Sequence, residues 1–311
     1  MLLRHLPAML AITTCLLALP AAADTAKATP TAKDLIAKSK PEEWRTPDPA
    51  NLLYMQLPQG RVVIELAPDF TPLHAQNIRT LVREHYFDGL AIIRVQDNFV
   101  TQWGDPNDDD SGDKSKLKPL GSAKAKLPPE YTRAIDPKLP WTPLPDGDVY
   151  APQVGFSEGF PAARDPASGR EWLTHCYGMV GVARDIAPDS GNGNSLYAVI
   201  GQAPRGLDRN LAIAGRVIEG MSYLSGLPRG TGALGFYTQA AQRTPISSVR
   251  LAADIPAAER ENLQVLRTDS PTFAAIIEAK RNRHDAFYTL PAGKIDVCNI
   301  DIPVRTLDIK Q

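Results

Sequence analysis

The chain has 311 residues, 34 lysines and arginines against 35 aspartates and glutamates, and a hydrophobic fraction of 43%, which suits a soluble globular protein with a sizeable core. This balance of charge, with no basic patch interleaved with aromatics, excludes nucleic acid as a partner. Beyond the first 23 residues no stretch is long and apolar enough to span a bilayer.

At the N-terminus, Arg4 and His5 precede an apolar run from Leu6 to Leu19, followed by Pro20 and the small residues Ala21 to Ala23. This pattern predicts a secretory signal peptide, residues 1–23, cleaved before Asp24. Cleavage removes Arg4 alone among the charged residues and leaves 33 basic and 35 acidic residues, a formal charge of −2. An exported, periplasmic protein is expected, with no membrane contact after cleavage. Cys176 and Cys298 then remain where a disulfide is permitted, and a bridge and two buried thiols both stay open. Neither has CxxC spacing or a histidine at ligand spacing, which argues against zinc.

Residues 24–49 are rich in Ala, Lys, Thr and Pro without a sustained period and predict a flexible leader. Leu52 to Leu57 and Arg61 to Leu66 alternate around Pro58-Gln59-Gly60, as in a β-hairpin. Thr71 and Pro72 read as N-cap and first residue of a helix that carries Ala75, Ile78, Leu81 and Val82 on one face and ends at Asp88-Gly89. Strands follow at Ala91 to Val95 and Phe99 to Gln102. Residues 106–172, dense in Pro, Gly, Asp and Lys, predict a long irregular insertion. Its acidic start, Asp105 to Asp113, lacks the glycine and terminal glutamate of a calcium loop at the required offsets and reads as a solvated loop. Further strands are expected at Tyr177 to Ala183, Ser195 to Gly201, Leu211 to Val217 and Ser248 to Ala252. Many short antiparallel strands with few helices predict a mostly β fold, a closed barrel over residues 50–256. Residues 257–311 predict an appendage packed on it. That appendage has a helix opening at Ser270-Pro271, with Phe273, Ile276, Ile277, Phe287 and Tyr288 as apolar positions, and a last strand from Ile295 to Val304.

Several of these segments, in order, resemble the cyclophilin-type peptidyl-prolyl cis-trans isomerases over about residues 50 to 252. The family's I-E-L strand is similar to Ile64-Glu65-Leu66, its P-x-x-x-x-N helix to Pro72 through Asn77, and its Y-Y-D-G to Tyr86-Phe87-Asp88-Gly89. Its F-H-R and F-M-x-Q-G-G-D stand here as Ile92-Ile93-Arg94 and Phe99-Val100-Thr101-Gln102-Trp103-Gly104-Asp105. Its G-x-x-x-M-A resembles Gly178 to Ala183, its S-Q-F-F-I resembles Ser195 to Val199, and its later L-D and F-G-x-V resemble Leu207-Asp208 and Ala214 to Val217.

The resemblance implies an isomerase, with Arg94 and Gln102 as the catalytic pair. Phe99, Val100, Ala183, Tyr197, Ala198, Leu207 and Leu211 would line the proline pocket. It departs from the family at Ile93, Trp103, Arg184, Ala198, Gly206 and Leu211. Gly206 falls where many members carry a tryptophan that contacts cyclosporin. Ala198 stands for a phenylalanine of the pocket wall, a loss that Trp103 or Leu211 would have to refill.

An arginine in such a site is a permanent donor and a poor base. Rotation about an X-Pro bond meets a barrier of roughly 18–20 kcal/mol set by amide resonance. A fixed guanidinium donating to the prolyl nitrogen of the twisted amide lowers that barrier without a metal, nucleophile or cofactor. The expected partners are proline-containing unfolded or exported polypeptides. A different class remains open on the same barrel, a chaperone-like module that binds proline segments with little turnover.

Overall fold

The computed structural model describes residues 29–108, 112–186, 189–285 and 287–307, so the signal peptide expected at residues 1–23 lies outside the described residues. In chain order the strands are β1 (Trp44–Arg45), β2 (Leu52–Leu57), β3 (Gly60–Leu66), β4 (Ala91–Val95), β5 (Val100–Gly104), β6 (Arg133–Ala134), β7 (Trp141–Leu144), β8 (Gln153–Ser157) and β9 (Phe160–Asp165). They continue as β10 (Arg170–Leu173), β11 (Met179–Val182), β12 (Leu196–Val199), β13 (Ile213–Glu219), β14 (Thr244–Pro245), β15 (Ser248–Leu251), β16 (Leu263–Leu266) and β17 (Val304–Thr306). The α-helices are α1 (Ala32–Ala37), α2 (Pro72–Arg83), α3 (Met221–Ser225) and α4 (Pro271–Arg281).

Nine strands form one antiparallel sheet in the order β14-β4-β5-β12-β11-β13-β3-β2-β15. Strand alternation gives each of them an inner and an outer face. Leu53, Met55 and Leu57 of β2, Val62, Ile64 and Leu66 of β3 and Trp103 of β5 point into one core together with Ile78, Leu81 and Val82 of α2. Residues from well-separated strands meet in that core, so the sheet curls around it.

The closed barrel expected from the sequence is met only in part. The two edge strands, β14 and β15, do not pair with each other. They are consecutive in an extended stretch whose joint, Ile246-Ser247, bonds outward to Leu90 and Gln56, so neither can fold back on the other.

Helix α2 begins as expected at Pro72 but stops at Arg83, before Asp88-Gly89. Thr71 does not cap it, because its hydroxyl is drawn to the carbonyls of Ala67 and Ile213. The carboxylate of Glu130 instead accepts from the free amides of Leu73 and His74 at 3.0 and 2.9 Å. A side chain from the insertion thus closes the helix N-terminus.

The insertion expected to be irregular holds a second sheet, five strands in the order β6-β10-β9-β8-β7. Its prolines and glycines lie in turns and at tolerated strand positions, and they mask the alternation of short strands such as Val154 to Ser157. On that sheet, Arg133 and Arg164 both donate to the buried Glu171 from neighbouring strands, each at 2.6 Å. The described part of the leader, residues 29–49, is likewise structured. Trp44 and Arg45 pair with Leu266 and Val265, and β17 adds on the far side to give a three-stranded sheet. Arg45 also grips Glu65 on the outer face of β3 at 2.5 Å, and Arg216 reaches the same carboxylate at 3.3 Å.

In the appendage, Ser270 caps α4 by accepting from Phe273 N at 3.1 Å. The helix ends at Arg281, so Phe287 and Tyr288 lie outside it and Phe287 is exposed. The expected last strand shrinks to Val304–Thr306, since a 3-10 turn over Val297–Asn299 and Pro303 interrupt the rest.

The outer face of the curled sheet supports a second core. Val100, Met179, Tyr197, Val199 and Ile213 meet Phe156 and Trp172 of the five-stranded sheet, Phe273 and Ile276 of α4, and Trp44. Cys176 and Cys298, with Cα atoms 4.8 Å apart, are joined by a disulfide that ties the appendage to the start of β11 across 122 residues of chain. Closing so long a loop removes denatured-state entropy worth up to about 4–5 kcal/mol. Cys298→Ser should therefore lower the melting temperature by on the order of 10 °C in non-reducing buffer. An unchanged melting curve would show that the bridge does not stabilise the fold.

Candidate active site

Register places the key residues on the outer face, on the strip that the second core leaves partly open. β4 and β5 pair with a bulge between Ile92 and Arg94, which sets Arg94 opposite Gln102. β12 sets Tyr197 opposite Gln102 from the other side. Arg94, Gln102 and Tyr197 thus lie across three adjacent strands on one face.

The Arg94 guanidinium is held by neutral oxygens. Its Nε donates to Leu234 O at 2.6 Å and one terminal nitrogen to Gln102 Oε1 at 3.0 Å, while the other donates to Gln96 Oε1. The rings of Phe99 and Phe236 lie 5.5 and 5.3 Å from its carbon. No carboxylate pairs with it among the described residues. Burial lowers its pKa from the ordinary arginine value. Gln102 is fixed in turn, donating through Nε2 to Ser195 Oγ at 3.1 Å.

Tyr197 is buried, and its ring lies across β11, where a Cβ on Gly181 would come within 2.2 Å of Cζ. Its hydroxyl meets His175 Nε2 at 2.9 Å. Burial, and then the nearby charge of Asp208, push the Tyr197 pKa well above the ordinary phenol value.

Of the residues expected at the pocket, Val100 and Tyr197 belong to the second core, and Phe99, Ala183 and Leu211 are half-buried against it. Leu207 is half-buried at the end of a 3-10 turn over Ala203–Leu207. Ala198 is the correction. It faces the barrel interior, fully buried among the first-core residues and on the same side as Trp103. Placing both members of the family's aromatic pair on the wall ignored the two-residue period, which sends Tyr197 out and Ala198 in. No wall is therefore lost at Ala198, and the bulk of Trp103 fills the interior instead of the pocket.

Sequence reasoning missed Gln96, Leu234, Phe236, Ser195 and His175. The loop that carries Leu234 and Phe236 gives no periodic signal, and Leu234 itself sits at a φ of 54°. His175 gave a signal only as a histidine near a tyrosine in the fold, and that proximity is invisible in one dimension.

The family model for the "cyclophilin type peptidyl-prolyl cis-trans isomerase" matches residues 52–251. The chain belongs to this family of isomerases. A Brucella suis protein named a probable peptidyl-prolyl cis-trans isomerase is 27% identical over 187 residues, 59% of this chain and 74% of its own length. A Synechocystis protein named for a thylakoid lumen peptidyl-prolyl cis-trans isomerase is 24% identical over 197 residues, 57% of this chain and 47% of its own. The crystal structure of the cyclophilin AquaCyp293 from Hirschia baltica superposes with a TM-score of 0.69 at 26% identity, covering 89% of this chain and 97% of that one. That coverage extends beyond the span of the family model, so this cyclophilin shares architecture outside the curled sheet.

The close fit of Tyr197 over Gly181 is testable. Gly181→Ala should force the ring off β11 and lower kcat/KM about tenfold while the protein stays folded. Wild-type activity in a folded Gly181→Ala protein would show that the ring position is unimportant.

Proposed function

We propose that this cyclophilin accelerates cis-trans rotation of X-Pro bonds in exported polypeptides, with Arg94 stabilising the twisted amide. The observation that carries the proposal is the Arg94 guanidinium, half-buried and held in place by neutral acceptors. A guanidinium paired with a carboxylate would spend its field on that partner. Here its direction is set by Leu234 O, Gln102 and Gln96, and its positive charge remains available to a prolyl nitrogen that regains its lone pair. Gln102, anchored on Ser195, would hydrogen-bond the substrate backbone. Phe99, Val100, Ala183, Tyr197, Leu207 and Leu211 would hold the proline ring by apolar contact.

Export is supported by the leader pattern, by a disulfide of the kind favoured in an oxidising compartment, and by the name of the Synechocystis relative. A periplasmic location and a role in folding exported chains follow from that reading. The alternative of a weakly active proline-binding module loses Ala198 as its motive, and Leu211 in place of a histidine is what still favours it.

Arg94→Ala should cost about a hundredfold in kcat/KM for a proline tetrapeptide, the size of effect seen on removing a donor to a developing charge. Exchange spectroscopy on the same peptide checks this, and equal rates for both proteins would remove catalysis from the reading. Gly206 is exposed, with open space where a side chain would stand. Cyclosporin should accordingly inhibit weakly, and nanomolar inhibition would contradict this assignment.

A further inference from the structure

Tyr197, on the face that carries the proposed proline pocket, has its hydroxyl buried, and a buried hydroxyl needs a partner. The partner is His175, itself almost fully buried, whose ring stacks nearly parallel to the tyrosine at 6.2 Å. Behind it stands Asp208. One carboxylate oxygen accepts from the backbone amide of His175 at 2.8 Å and lies 2.9 Å from Nδ1. The other accepts from Arg205 Nε at 3.0 Å, and Arg205 reaches Asp148 of the insertion at 2.8 Å.

A carboxylate only accepts, so Nδ1 carries a ring proton, and in the neutral imidazole Nε2 is then bare and accepts from the Tyr197 hydroxyl. A continuous row of polar contacts thus runs from Asp148 of the insertion to Tyr197. The residue following His175 is Cys176, so the disulfide to the appendage pins the same point of the backbone.

We propose that His175, oriented by Asp208, is a positioning residue that fixes the Tyr197 ring at the base of the proline pocket through the tyrosine hydroxyl. This rests on the isomerase reading above and adds to it a residue outside the pocket. His175 touches no substrate. It acts by denying the hydroxyl any other partner, so that the ring keeps one orientation over Gly181 as proline enters.

A double-mutant cycle on the full chain tests the idea, with KM and kcat measured on a proline tetrapeptide and the peptide's Kd measured by NMR titration. His175→Ala should raise KM and Kd about fivefold, the equivalent of one buried hydrogen bond, with kcat changed by less than about twofold. In a Tyr197→Phe background the same substitution should shift both by less than about 1.5-fold, because the hydroxyl it serves is gone. His175→Gln, whose side-chain oxygen can accept from the hydroxyl, should recover part of the loss. A loss of equal size in both backgrounds would assign His175 a general structural role, and no loss in the first would assign it none. Either result overturns the proposal. Should His175→Ala fail to fold, the cycle runs with His175→Gln and is judged by the same comparison. Should the wild type show no Arg94-dependent exchange, the isomerase reading fails, and the Kd arm of the cycle still decides the positioning.

Discussion

A strand shows alternate residues to its two faces, and this protein has to bury both faces of its main sheet almost everywhere. The inner face closes on its own core around Trp103 and α2. The outer face carries Val100, Met179, Tyr197, Val199 and Ile213, which would be a large exposed apolar patch on an isolated sheet. The five-stranded insertion, α4 and Trp44 cover most of it. What they leave partly open is the strip where Arg94, Phe99, Ala183, Leu207 and Leu211 lie. The position of the candidate site is thus a consequence of incomplete cover, with the covering elements beside it as much as the curled sheet.

The parts of the chain that read clearly were those with one strong period and a local end signal. β2 and β3 alternate cleanly, Ser270-Pro271 opens α4, and the arginine and glutamine eight residues apart fall opposite one another across a bulge. The parts that misled did so for physical reasons. Strands of four to six residues carrying Pro143, Gly155 or Pro161 present too few alternating positions to stand out, so a whole sheet resembled irregular coil. Trp44 was passed over in a polar leader because its partner strand lies more than two hundred residues away. Phe287 and Tyr288 fitted a helix that in fact ends at Arg281. The site itself was legible in its strand residues and illegible in its loop partners, since Leu234 and Phe236 meet Arg94 only through the tertiary fold.

Arg94 also illustrates how a charge can be kept half-buried with no counter-ion among the described residues. Desolvation disfavours it, yet three neutral oxygens and two aromatic faces return part of the lost hydration. Acceptors of this kind satisfy the N–H groups while leaving the net charge uncompensated. On the proposed mechanism, a carboxylate in their place would stabilise the resting protein more and the twisted amide less. The fold would then tolerate a small loss of stability at Arg94 in exchange for a field directed at the substrate.

The tyrosine at position 197 extends that logic to the residues behind the sheet. A phenylalanine at position 197 would need only apolar neighbours, which the curled sheet and the second core already supply. A hydroxyl there demands a partner, and here that partner is a histidine whose other ring nitrogen meets a carboxylate. The carboxylate in turn requires Arg205, and Arg205 draws in Asp148 from the insertion. One oxygen atom thus commits elements spread over the chain to a common geometry. It couples the insertion and the disulfide-tied appendage to the pocket in a way that apolar packing, which tolerates sliding, does not.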